Sequence, residues 1–186
     1  MTSLRWLWLI PVALTAASMV MVGGPYGQIA RLAPPFDEKP ATTGAEVAAR
    51  LAALGAEGRE LYQTHFYSDL AFVAANLVAL LVPIVVFARR LRVPRALLYV
   101  CVAVPLGFAA ADWAENVAVA RMLDGDLSTS RIAAAAYATQ VKFALFGAAV
   151  LTALLLAVSW SVARLLGRDI ATPPPAPVVA PPDAAE

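Results

Sequence analysis

Residues 70–122 read LAFVAANLVALLVPIVVFARRLRVPRALLYVCVAVPLGFAAADWAENVAVARM, and the fold follows from how that stretch divides. It splits into two apolar blocks, 70–88 and 96–122, around a basic link, ARRLRVPR. Each block comes to about the ~20 helical residues that cross ~30 Å of hydrocarbon. Two further blocks of the same character, 6–22 and 132–162, flank the pair. The chain is therefore expected to be all-α and polytopic. The expected form is a four-transmembrane-helix bundle over residues 1–168, with spans near 6–22, 70–88, 96–122 and 132–162. Composition agrees. Of the 186 residues 61% are hydrophobic and mean hydropathy is +0.71, whereas an ordinary soluble domain is only about half apolar.

The basic residues set the expected orientation. Arg89, Arg90, Arg92 and Arg95 lie in the link, Arg164 and Arg168 follow the last block, and Arg5 precedes the first. The other connections carry mixed charge, including Asp124 and Asp126. The excess of Arg marks the cytoplasmic side, so both termini and the Arg link are expected in the cytoplasm of a bacterium, with the spans in its inner membrane. Twelve Arg against two Lys, with abundant Ala, fits a GC-rich bacterial genome. Arg5 and the small residues Ala16–Ser18 also allow a cleaved signal peptide. The full apolar length of the first block, and the poor bundle that three helices would make, favour a retained span.

Residues 23–67 are then expected outside, as an extracytoplasmic segment. GGPYG (23–27) is expected to stop the first helix. Within TTGAE, Thr43 and Glu46 form a candidate capping box, and Val47, Leu51, Leu54 and Leu61 then recur with helical spacing. One or two short amphipathic helices are expected here, on the membrane surface or capping the bundle, with Gly55 and Gly58 as weak points. Residues 169–186, with six prolines, are expected to be a disordered cytoplasmic tail.

Several function classes fall away. A net charge of +1 gives no basic field for nucleic acid. Cys101 is the single cysteine, so no internal disulfide or multi-cysteine metal site can form. His65 is the single histidine; it cannot supply both axial ligands of a bis-histidine haem. It reads as an interfacial residue, a metal-ligand role being the lesser alternative, and no cofactor is called for. There is no P-loop, G-x-S-x-G, HExxH or dinucleotide glycine pattern.

What the apolar blocks do contain is a set of polar residues. An ionisable group at the bilayer centre costs roughly 2.5–3.5 kcal/mol, so each needs a partner, a wet cavity or a lost charge. Counted inward at 1.5 Å per residue, Asn76 and Asn116 lie about 10 Å deep, and Asp112 and Lys142 about 15 Å, with Glu115 slightly shallower. Asp69 and His65 sit at the outer mouth. Asp112, Glu115 and Asn116 share one helix face; His65, Asp69, Asn76 and Pro83 share another, and Lys142 and Thr139 a third. Three helices thus present matched polar stripes in the outer half of the bundle. Asp112 is expected to pair with Lys142, leaving Glu115 as the surplus carboxyl, protonated or cation-bound. Cys101, Trp113, Trp6, Trp8, Tyr67 and Trp160 read as packing and interfacial aromatics.

HFYSDLAF entering span two, D-x-x-E-N in span three and TQVKFAL in span four resemble a group of small bacterial four-span integral membrane proteins. The resemblance covers spans two to four, implies the bundle, and brings no chemistry with it. Three functional readings stay open. The polar site takes a small ligand, ion or lipid head group, with proton coupling. Alternatively it is an intramembrane enzyme acting on a lipid-like substrate, with Asp112 or Glu115 as acid/base and Lys142 stabilising negative charge. Or the polar set (Asp69, Asn76, Asp112, Glu115, Asn116, Thr139, Lys142) is glue in a structural or assembly subunit. The expected partners are the bilayer, a lipid or small molecule, and a homo-oligomer or membrane-complex partner.

Overall fold

A computed structural model of the chain describes residues 3–167; the proline-rich tail expected over 169–186 lies outside the described residues. The described chain is all helical, with four elements: α1 (Ser3–Leu32), α2 (Gly44–Arg90), α3 (Arg95–Leu123) and α4 (Thr129–Leu165). The last three are long and apolar enough to cross a membrane. In hydrocarbon the backbone must satisfy its own hydrogen bonds, and a helix does so within one segment. That is why Pro83 and Pro105 sit inside α2 and α3 without ending them.

Among the described residues, the backbone of α2 approaches all three other helices, whereas that of α1 approaches only α2. An opening is thereby left between α1 and the α3–α4 pair. The Arg-rich link is tighter than its sequence suggests, since α2 runs through Arg90 and α3 starts at Arg95. Arg92 takes a left-handed φ of 56°. Its N–H bonds to Arg89 O and that of Val93 to Ala88 O, the paired contacts of a Schellman stop. Gly125 (φ 100°) ends α3 in the same way: its N–H bonds to Met122 O and that of Asp126 to Arg121 O. At the Arg-link end, Trp160 is flanked by the guanidinium groups of Arg90 and Arg164, 5.3 and 5.5 Å from its ring centroid.

At the opposite end, a cap covers the bundle. GGPYG does not stop α1, which continues to Leu32. Packing along α2 carries the helix across Gly23, Gly24 and Pro25, since tertiary contacts override local propensity. The effective stop is Ala33-Pro34-Pro35, where the residue before proline is pushed out of helical geometry. The chain resumes at Thr43, whose side chain accepts from the Glu46 N–H. The reciprocal half of the expected capping box is displaced by one residue: Glu46 accepts from the N–H and hydroxyl of Thr42. Gly55, at φ 59° and ψ −158°, breaks α2 into a short leading helix and the long one.

That leading helix packs into the bundle end. Val47, Leu51 and Leu54 join Ile29 and Phe36 against Val119, Met122 and Ile132 in one buried cluster. Arg50 is buried with them. It donates to the carbonyls of Pro34 and Lys39 and to Glu46, and lies over the Phe36 ring at 5.2 Å. The Phe36 N–H donates to the Tyr62 hydroxyl (3.0 Å). Residues 33–43 are thus pinned over the mouth of the bundle.

Candidate functional site

One turn of α3 meets one turn of α4 below this cap. Asp112, Glu115 and Asn116 stand at i, i+3 and i+4, and Thr139 and Lys142 at i and i+3, so each helix projects its polar groups from a single face. Glu115 is completely buried, with 0% exposure. Its Oε1 accepts from the Thr139 hydroxyl and its Oε2 from Lys142 Nζ. Lys142 Nζ is also 3.2 Å from Asp112 Oδ1. Asp112 and Lys142 are 4% and 8% exposed.

The expected Asp112–Lys142 pair is therefore present, but Glu115 is not the surplus carboxyl. It is the more closely held of the two partners of Lys142. Depth along a helix is fixed by residue count, whereas the helix on which a side chain lands depends on the rotation of the bundle. With α4 packed on the Glu115 side of α3, both carboxylates reach the same ammonium.

Asn116 links α2 to this group. Its amide nitrogen donates to Asp69 Oδ2 at 2.7 Å and to Asp112 Oδ2 at 3.2 Å, using its two hydrogens on two carboxylates. Asn76 is buried, but its amide donates to Phe72 O in its own helix. Six of the seven expected residues are thus joined in one chain of contacts: Asp69, Asn116, Asp112, Lys142, Glu115 and Thr139.

Two openings meet at Asp112. An apolar groove of about 630 Å³ runs between α2 and α3, walled by Phe66, Leu70, Val73 and Trp113, with Asp112 and Asn116 along it. On the other side lies a cavity of about 240 Å³, in the gap left by α1. Asp37, His65, Asp69, Asp112 and Lys142 line it, with Tyr26, Phe72, Phe108, Phe143 and Phe146 as aromatic walls. Glu115 lines neither. It stands behind Lys142 and holds the ammonium in place.

His65 is buried within the protein, 3% exposed. Its ring lies 5.5 Å from that of Tyr26 and 6.1 Å from that of Tyr62. Nε2 is 4.0 Å from Asp37 Oδ2, while Nδ1 and the buried Asp37 Oδ1 have no hydrogen-bond partner. Burial pushes the Asp37 carboxyl above the usual range, partly offset by His65 and Lys142. Among the described residues, no group of three His, Cys, Asp or Glu side chains is placed to hold a metal ion.

Asp37, Tyr26 and Arg50 were not among the expected site or cap residues. Arg50 left a signal, since a charged residue on the Val47–Leu51–Leu54 face must find partners when that face is buried. Asp37 left almost none, because residues 33–40 have no periodicity from which a direction could be read. No family model, curated protein or solved structure matches the chain.

Proposed function

We propose that this chain is a four-span protein of the bacterial inner membrane, with α1 as its first span and both termini cytoplasmic. In this reading it binds a small ligand at the Asp112–Lys142 cavity from the outer side, with protons exchanging on the carboxylates. The observation that carries the reading is a buried ammonium, shared by Glu115 and Asp112, on the wall of a cavity. Helix-packing glue alone needs no such opening. The cationic Arg-link end supports the orientation, in which the cap and the Asp37–His65 end of the cavity face the outer side.

The groove between α2 and α3 favours a second reading, in which a lipid-like substrate reaches Asp112 from the bilayer for carboxylate acid/base chemistry.

Access tests the first reading. In a Cys101→Ala background, the thiol introduced by Phe72→Cys lies on the cavity wall. It should react with a small uncharged, water-soluble methanethiosulfonate added outside spheroplasts. Reaction only from the cytoplasmic side, or none from either, would overturn an outward-open site.

A further inference from the structure

We propose that the cavity beside Asp112 and Lys142 is a binding site for a small organic ammonium ion. The proposal rests on the ligand-site reading above and names its chemistry. Three carboxylates, Asp37, Asp69 and Asp112, line the cavity from three different segments of the chain. Facing them are one ammonium, Lys142, and the imidazole of His65. Lys142 already donates to Glu115 and Asp112, so its charge is answered before any ligand arrives. A bound anion would meet an excess of negative charge, and a cation would relieve it.

The walls decide between kinds of cation. Five aromatic side chains line the cavity, and no three-ligand group for a bare metal ion is present among the described residues. Ring faces attract a diffuse alkylammonium charge and lose little by displacing its weak hydration. Tyr26 lines the cavity from α1, Phe72 from α2 and Phe108 from α3. A volume of about 240 Å³ falls below the usual drug-sized range of roughly 300–1,000 Å³, so the ligand is small. His65, buried with an Nδ1 that has no hydrogen-bond partner, lines the cavity beside Tyr26. Choline, a hydroxylated quaternary ammonium, is therefore the natural probe.

The test uses the full chain in nanodiscs with the Phe72→Cys thiol and Cys101→Ala. Protection from the uncharged thiosulfonate is compared for choline, for its uncharged analogue with carbon in place of nitrogen, and for inorganic phosphate. Choline should protect at concentrations about tenfold or more below those its analogue needs. Asp69→Asn should bring the two within about twofold. Calorimetric titration of the chain carrying native Phe72 should give the same order, independently of any variant's folding. Equal protection by choline and its analogue, protection by phosphate alone, or labelling that no probe slows would each overturn the ammonium assignment. Those results leave the accessible site standing, whereas a thiol unreactive without any probe removes the site itself.

Discussion

Lys142 of α4 donates its ammonium to Glu115 of α3 in the fully buried centre of the bundle. Removing Lys142 leaves the buried Glu115 and Asp112 carboxylates without their ammonium, at a cost of about 3–5 kcal/mol, whereas removing Glu115 leaves Lys142 paired with Asp112. Lys142→Met is expected to lower stability by that order in detergent-solubilised protein, and Glu115→Gln by less. The double variant should recover part of the Lys142→Met loss, because only Asp112 is then left without its ammonium. Additive losses in thermal or denaturant unfolding would show that the two are not coupled.

Asn116 separates two like charges by bonding to both Asp69 and Asp112. Asn116→Ala leaves both carboxylates without that donor and is expected to cost about 1–3 kcal/mol. Asn116→Asp, which adds a third negative charge, should cost more. Equal unfolding midpoints for the two variants would contradict this arrangement.

Two carboxylates outside the spans should respond to pH with opposite signs. Hydrogen bonds from Ser128 and Arg131 hold Asp126 below the usual range, so its contribution is present above the unfolded pKa and lost as pH falls through the lowered folded pKa. Burial holds Asp37 above its usual range, so the native state binds the extra proton and stability falls as pH rises from the unfolded to the folded pKa. Asp37→Asn should therefore raise the melting temperature at neutral pH, and Asp126→Asn should lower it there. Melting curves from pH 4 to 8 check both directions.

Glycines at two kinds of position should respond oppositely to alanine. Gly55 needs φ of 59°, so Gly55→Ala should cost about 1–2 kcal/mol. Gly27 lies within α1 with open space around a Cβ, so Gly27→Ala should stabilise by roughly 0.5–1 kcal/mol. A loss at Gly27, measured by thermal unfolding, would contradict a continuous α1.

Arg50 holds residues 33–43 by its bonds to Pro34 O and Lys39 O. Arg50→Leu keeps the apolar packing and releases the strap. Cleavage after Glu38 by a glutamate-specific endopeptidase should then accelerate while the bundle fragments stay folded. Unchanged cleavage would place the strap's anchorage elsewhere.

Much of the architecture was legible because it depends on counting. A block's length decides whether a helix can span, and α3 and α4 extend the expected 96–122 and 132–162 by only one to three residues at each end. Asp112, Asn116, Lys142 and Thr139 came together because turns of 3.6 residues fix depth and face. GGPYG does not stop α1, since packing of α1 along α2 outweighs the weak helix propensity of Gly and Pro.

The sequence by itself determined the apolar helical blocks and the spacing of the polar residues along them, because rise and rotation per residue are local properties. Tertiary structure alone decided that Glu115 holds Lys142, and that Asn76 turns back on its own helix. It also decided that Asp37 and Tyr26 line a cavity with His65. These outcomes depend on how the helices are rotated against one another and on where an aperiodic strap is tied. Many distant side chains set both together, and no local pattern encodes them.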